Sequence, residues 1–185
     1  MTLVSVVLPS YNHERYVGEA ISSVLAQSHA ELELIIVDDA STDGSRRVID
    51  GYSDDRIRRH YLPKNLGGAP ALNHGISLAR GDLVAICNSD DAWHVDKLAR
   101  QLPILRDHEG IAAVFSDVDW IDGNGHPLAP SFGWLTGSFT YPNRSSGQWL
   151  RRLIDEGNCL CHPSILIRRH VYDELGPYRE VARFI

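Results

Sequence analysis

Leu83-Val84-Ala85-Ile86-Cys87-Asn88-Ser89-Asp90-Asp91 runs from five consecutive apolar residues into a polar cluster that finishes on two adjacent carboxylates. An unbroken apolar run, with Gly81-Asp82 before it and a helix-like segment after, is the pattern of a strand buried on both faces of a parallel sheet. Its carboxylates then fall at the strand's C-terminal end, where the loops leaving an open α/β sheet form a ligand crevice. Adjacent carboxylates repel, so ionising both at neutral pH calls for a cation or several hydrogen-bond donors nearby. A hard divalent metal is the natural counter-charge.

Outward from this stretch the same alternation recurs. Leu3 to Leu8 is a β-branched apolar run stopped by Pro9, which cannot donate to a ladder. After the polar turn Ser10-Tyr11-Asn12-His13, apolar residues at Val17, Ala20, Ile21, Val24 and Leu25 form a one-sided helical stripe. Leu32 to Val37 is a second strand, closed by Asp38-Asp39-Ala40-Ser41-Thr42-Asp43-Gly44, which is rich in N-cap residues for a following helix. Ile57 to Leu62 reads as a third strand and Pro63-Lys64-Asn65-Leu66-Gly67-Gly68 as a loop whose glycines let backbone approach a ligand. Ala69 to Ala79 reads as a helix, and Trp93 to Arg106 as another that Pro103 should kink or end.

Ala112 to Phe115 reads as a fifth strand and Ile121 to Pro127 as a hairpin turn. Beyond it the alternation breaks down. Residues 131–146 have the composition of a mobile loop beside a site, followed by a short helix from Gln148 to Glu156 and a short strand from Ser164 to Ile167. Strands joined by helices through short loops force parallel pairing with right-handed crossovers. The expected fold class is therefore α/β, a three-layer α/β/α arrangement around a mostly parallel central sheet, with residues 1–185 as a single domain. Within it the regular alternation covers residues 1–110, and a less regular second half covers residues 111–185.

The 185 residues are 43% hydrophobic and 23% charged, enough for one sizeable core. A net charge of −6 with a pI near 5.8 argues against coating nucleic acid, which needs a concentrated basic face. No apolar run approaches the ~20 residues of a membrane span, and no leader precedes the first strand, so a cytoplasmic location is expected. Three cysteines, one inside the apolar run, read as reduced thiols. Cys159-x-Cys161-His162 lacks the partner pair that a four-ligand zinc site requires. Neither GxGxxG nor GxxxxGK[ST] is present, so any phosphate must be held by metal.

Four motifs taken together, Ser5-Val6-Val7-Leu8-Pro9-Ser10-Tyr11-Asn12, Ile35-Ile36-Val37-Asp38-Asp39-Ala40-Ser41-Thr42-Asp43, Asn65-Leu66-Gly67-Gly68 and Asn88-Ser89-Asp90-Asp91, resemble the family 2 inverting glycosyltransferases of the A-type nucleotide-sugar (Rossmann-like) fold. The resemblance covers essentially the whole chain. It implies transfer of a sugar from a nucleotide donor, usually a UDP-sugar, to an acceptor hydroxyl with inversion, assisted by Mn²⁺ or Mg²⁺. A glycan or lipid-linked acceptor in polysaccharide or cell-surface glycan synthesis would follow, with peripheral attachment at the inner face of a membrane and a homodimer left open.

Residue by residue, the resemblance puts Pro9 and Tyr11 at the nucleobase, with Asn12 and Glu14 beside them, and Asp39 where a carboxylate accepts from the uracil imide. A carboxylate offers only acceptors and so suits a base edge presenting N–H. Glu14 has a second reading as a helix-start charge. Asn65 and Gly68 would line the nucleotide from the other side, and Asn88 and Asp90 the ribose. Asp90 and Asp91 match the metal and ribose carboxylates, in either order. Asn88 stands where the family usually has Asp, which removes one charge from the metal site. Leu175-Gly176-Pro177-Tyr178-Arg179-Glu180 resembles the segment that precedes the family's acidic pair, so the general base is expected beyond Ile185, with Asp117, Asp119 and His162 as the alternatives within the chain.

Plainer readings stand beside these. Asp38 and Asp39 could serve only the next helix's dipole, Tyr11 could be core, and Asp90 and Asp91 solvated turn residues. His162 could be a hydrogen-bonded buried histidine, and Trp93, Trp120 and Trp149 packing residues. A nucleotidyltransferase shares the layered fold and metal but normally carries a basic Gly-rich loop after its first strand. A nucleotide-sugar binding module without transfer activity is the remaining alternative.

Overall fold

This computed structural model describes residues 2–128, 139 and 141–179. Its centre is a six-stranded sheet built from β1 (Val4–Ser10), β2 (Leu32–Asp38), β3 (Ile57–Tyr61), β4 (Leu83–Ile86), β5 (Ala113–Val114) and β6 (Leu166–Arg168), in the order β3-β2-β1-β4-β6-β5. β1 pairs in parallel with both β2 and β4, and β2 with β3. β6 runs antiparallel to β4 and to β5, so the sheet is mostly parallel, as expected, with its antiparallel pairing confined to one edge. The chain between β5 and β6 has left the regular strand–short loop–helix alternation, and antiparallel neighbours do not require the crossover that parallel strands do.

Every residue of β2 and β4 is buried, as the unbroken apolar run of β4 requires; in β2 this takes Glu33 and Asp38 into the interior along with the apolar residues. Alternate strand residues feed two cores. Val4, Val6 and Leu8 of β1 pack with Leu34 and Ile36 of β2 against α1 (Val17–Leu25), α2 (Ser45–Asp50) and α4 (Lys97–Asp107). Val7 of β1, Ile35 of β2 and Val84 and Ile86 of β4 pack on the opposite face, where α3 (Gly68–Ser77) supplies Ala71 and Leu72. α5 (Ser146–Glu156) and α6 (His170–Leu175) follow, with Val171 and Tyr172 of α6 adding to the α3 face. The result is the expected three-layer α/β/α arrangement.

Two prolines behave differently from their sequence reading. β1 runs through Pro9 to Ser10, paired with β2 up to Asp38. Val7 O accepts from Cys87 N, so Pro9, two residues on, directs its backbone toward the β4 side, past the last β4 residue, Ile86. Its missing N–H costs the ladder nothing. α4 continues through Pro103 to Asp107, and the carbonyl that loses its donor belongs to Ala99, on the exposed side of the helix where water can serve it.

Below the sheet, Glu33 is held by Ser5 Oγ (2.7 Å), Arg58 Nη1 (2.8 Å) and Arg80 N (2.7 Å). Burial raises its pKa, and these three donors more than offset that, leaving the carboxyl below its usual range. Gly81 closes the same cluster, its N donating to Ser5 Oγ at 2.8 Å. A Cβ at Gly81 would lie 2.5 Å from Leu3 O and 3.0 Å from Ser5 N, both backbone atoms unable to swing away. Gly81→Ala is therefore expected to cost about 1–3 kcal/mol, read as a fall of roughly 3–10 °C in Tm by thermal denaturation. An unchanged Tm would mean that this corner yields freely.

Candidate active site

The strand order reverses at β1, which has β2 on one side and β4 on the other. The loops leaving β1 and β4 therefore diverge and open a crevice at the strands' C-terminal ends. Four loops meet there, carrying Ser10 to His13 after β1, Asp38 to Gly44 after β2, Leu62 to Gly67 after β3 and Asn88 to Asp96 after β4.

Asn12 fastens the first loop to the second. It adopts a left-handed backbone, with φ of 53°, a region Asn tolerates better than most residues. Its N donates to Ser41 Oγ at 2.9 Å, and its side-chain Oδ1 accepts from Thr42 N at 2.8 Å. The neighbouring Tyr11 is left 43% exposed over the crevice, which sets aside the reading of it as core. Glu14 sits at the start of α2, where its Oε2 accepts from Gly44 N at 3.0 Å and its Oε1 pairs with Arg47 at 2.7 Å. These contacts give it a helix-start role, but at α2 and not at α1, the helix it precedes in sequence.

The two carboxylates after β2 have separate tasks. Asp38 is fully buried and its Oδ1 accepts from Ser41 N and from Arg46 Nε at 2.6 Å, so it shapes the loop from within. Asp39 reaches across to the β3–α3 loop. Its Oδ1 accepts from Leu66 N at 2.7 Å and its Oδ2 from Gly67 N at 2.8 Å. Gly67 has φ of 94°, a conformation only glycine adopts without strain, and this turns the loop so that successive N–H groups face one carboxylate. Each Asp39 oxygen retains a second lone pair. Asn65 and Gly68 flank this clasp, both exposed.

The β4 loop holds the paired carboxylates. Asp90 is exposed, whereas Asp91 is half-buried and its Oδ2 is buried with no hydrogen-bond partner. Burial first, and then the charge of Asp90, push the Asp91 pKa up; the Asn88 side chain and His13 partly oppose this. Asn88, where the family usually has Asp, thus helps Asp91 carry charge. His13 bridges the diverging β1 and β4 loops, its Nδ1 lying 2.7 Å from Ser89 Oγ. Sequence reasoning treated His13 only as a turn residue; its position directly after Tyr11-Asn12 was the available signal.

Among the described residues no group of three or more His, Cys, Asp or Glu side chains could hold a metal by itself. The orphaned Asp91 oxygen and the disfavoured charge beside Asp90 nevertheless fit a cation there, with the remaining ligands coming from phosphate and water, as Mg²⁺ prefers.

Asp90 and Asp91 form one wall of a cavity of about 590 Å³ that continues between Arg15, Tyr16 and Glu19 and the segment from Asp119 to Gly125. That segment is the expected hairpin turn, closed by Asp122 N to His126 O at 2.8 Å and the Ile121–Pro127 bridge. Arg15 Nη2 reaches it by donating to Asn124 Oδ1. A smaller cavity of about 210 Å³ between α3 and α6 lies away from these carboxylates.

The three alternatives for a base are dispersed. Asp119 lines the large cavity and pairs with His94 at 2.8 Å, while Asp117 is exposed with no role in the cavity wall. His162 is held at Nε2 by Tyr178 OH at 2.9 Å, and burial pushes its pKa down. Trp93 lies under Lys97, Trp120 stacks on Phe139, and Trp149 packs edge-on to Tyr141, as the packing readings expected. The expected loop over residues 131–146 and the residues after Arg179 fall largely outside the described residues.

A mostly parallel α/β/α sheet with carboxylates gathered at the ends of β2 and β4 is the architecture of the A-type nucleotide-sugar transferases. The chain belongs to glycosyl transferase family 2, whose model matches residues 5–176. It is 32% identical over 142 residues to the Escherichia coli UDP-Glc:α-D-GlcNAc-diphosphoundecaprenol β-1,3-glucosyltransferase WfgD, covering 77% of this chain and 52% of that protein. In fold it is similar to Staphylococcus aureus TarS 1–349 in complex with UDP-GlcNAc, with a TM-score of 0.72, 23% identity and coverage of 95% of this chain and 47% of that one. The mannosyltransferase PcManGT of Pyrobaculum calidifontis, solved with GDP-Man and Mn²⁺, gives a TM-score of 0.66 at 23% identity, covering 95% of this chain and 47% of its own. The chain spans about half the length of the curated relatives it matches. The family match sets aside the nucleotidyltransferase alternative. No helix among the described residues is long and apolar enough to cross a membrane.

Proposed function

We propose that this chain carries the donor site of a metal-dependent, inverting glycosyltransferase that takes a UDP-sugar and passes the sugar to a hydroxyl of a glycan or lipid-linked acceptor. The observation that carries the reading is the convergence of Asp39, Asp90 and Asp91, with exposed Tyr11, on the crevice where the strand order reverses. Tyr11 offers a ring for the base, and Asp39 an acceptor-only edge suited to the uracil imide. Asn65 and Gly68 border the nucleotide, while Asn88 and one of the Asp90–Asp91 carboxylates take the ribose. The other carboxylate holds Mn²⁺ or Mg²⁺, which supplies charge stabilisation to the leaving diphosphate. Residues 1–110 form this nucleotide-binding half, and residues 111–185 contribute to the acceptor side of the same domain. The full protein's acceptor, its cytoplasmic site of action and any dimer belong to the same proposal. WfgD, named for a UDP-sugar donor and a diphosphoundecaprenol-linked acceptor, supports the choice of substrate class.

Calorimetric titration with UDP, GDP and ADP, in Mn²⁺ and in EDTA, tests it. UDP is expected to bind preferentially and at least tenfold more tightly in Mn²⁺, because the sequence has no P-loop and the described residues offer the diphosphate no basic cradle. Equal UDP affinity in EDTA would overturn the metal dependence, and preference for GDP would overturn the donor assignment.

A further inference from the structure

The crevice is assembled from two parts that are held in different ways. The loops after β1, β2 and β3 are laced together. Asn12 N and His13 N donate to Ser41 Oγ and Ser45 Oγ, both at 2.9 Å, and Glu14 N donates to Asp43 Oδ2 at 3.0 Å. Asp39 then fastens the β3–α3 loop through Leu66 N and Gly67 N. The loop after β4 is attached chiefly at its two ends. Cys87 N donates to Val7 O at 3.1 Å as the strand finishes. At the far end, Ser28 N donates to Val95 O at 2.9 Å and Gln27 Nε2 to His94 O at 2.7 Å, beside the C-terminal end of α1.

Between those ends, among the described residues, one hydrogen bond joins the Asn88–Asp91 turn to the other three loops, the 2.7 Å contact of His13 Nδ1 with Ser89 Oγ. Ser89 is buried and stands directly before Asp90, so an anchor on its side chain fixes the backbone that carries both carboxylates. His13 is itself steadied by its N–H to Ser45 and by the edge of Tyr16, with ring centroids 6.1 Å apart.

Resting on the donor-site reading, we propose that His13 is a positioning residue that sets the spacing between the two halves of the donor site, the nucleobase contacts on the β1, β2 and β3 loops and the cation–diphosphate contacts on the β4 turn. One nucleoside diphosphate must engage both halves, so its affinity depends on their being held at its own length before it arrives. Without the bridge the turn samples arrangements in which the carboxylates miss the cation, and apparent affinity falls with the fraction that remains competent. The base half, laced by other bonds, keeps its grip.

The test titrates UDP, in Mn²⁺ and in EDTA, against the full chain, its His13→Ala and Ser89→Ala variants, the double variant that combines them, and His13→Asn. In each alanine variant UDP affinity in Mn²⁺ should fall roughly 3- to 10-fold, the loss expected for one hydrogen bond, while affinity in EDTA stays within about twofold. The advantage conferred by Mn²⁺ therefore shrinks. The double variant should lose no more than either single one, because the two side chains make one contact. His13→Asn, whose amide reaches the position of Nδ1, should recover most of the loss. A loosened fold would weaken UDP equally in Mn²⁺ and in EDTA. That outcome, an unchanged Mn²⁺ advantage, additive losses in the double variant, or no recovery in His13→Asn overturns the proposal. A wild-type chain that does not bind UDP, or gains nothing from Mn²⁺, overturns the donor-site reading itself, a result seen before any variant is measured.

Discussion

Asp90→Ala is expected to weaken UDP binding in Mn²⁺ by roughly a thousandfold while leaving the fold intact. At an effective dielectric of ~20, opposite unit charges about 4 Å apart attract by about 4 kcal/mol, which is roughly three powers of ten in affinity. A divalent ion held between this carboxylate and a diphosphate depends on at least that much. The residue is exposed and its side chain makes no hydrogen bond among the described residues, so its loss should change stability by no more than about 0.5 kcal/mol. Calorimetry with a parallel thermal melt separates the two effects. UDP binding within a few-fold of wild type would restore the reading of Asp90 as a solvated turn carboxylate.

Asp39→Ala carries the second large effect, and the structure changes what it would mean. The resemblance assigns this carboxylate to the uracil edge, yet in the fold it is 3% exposed and accepts from Leu66 N and Gly67 N. Removing it takes an acceptor from the base and releases the loop that borders the nucleotide. A lost hydrogen bond to a charged group is worth roughly 1.5–3 kcal/mol, so UDP affinity should fall about 10- to 100-fold. Asp39→Asn should do no better, because its NH₂ would confront one of the two backbone N–H groups. Hydrogen exchange at Leu66 and Gly67 should accelerate in both variants. A variant with faster exchange but unchanged UDP affinity would leave Asp39 with the loop alone.

The donor half was legible in the sequence because its signals are local. Short, β-branched apolar runs such as Leu34 to Val37 and Leu83 to Ile86, bounded by turn residues, read as strands buried on both faces, and each acidic cluster follows close after a strand's end. The antiparallel β6 was not legible, since strand direction depends on how a long connection returns and not on the strand's three residues. The division of labour between Asp38 and Asp39 was only half readable. Their adjacency announces a polar loop, but which one turns inward to Arg46 and which reaches toward Leu66 depends on residues brought in from α2 and the β3–α3 loop. Glu14 shows the same limit, because Gly44 and Arg47, which claim its carboxylate, lie some thirty residues away in the chain.

The central claim is that a divalent cation and a nucleoside diphosphate meet at the ends of β1 and β4. Paramagnetic broadening by Mn²⁺ in the amide NMR spectrum tests it most directly, with Mn²⁺ added substoichiometrically to the chain saturated with UDP. The account predicts that the amides of His13, Ser89, Asp90 and Asp91 broaden first, while those of Glu33 and Arg58, in the cluster at the other end of the sheet, remain sharp. Broadening centred on another part of the molecule, or none that depends on UDP, would contradict it.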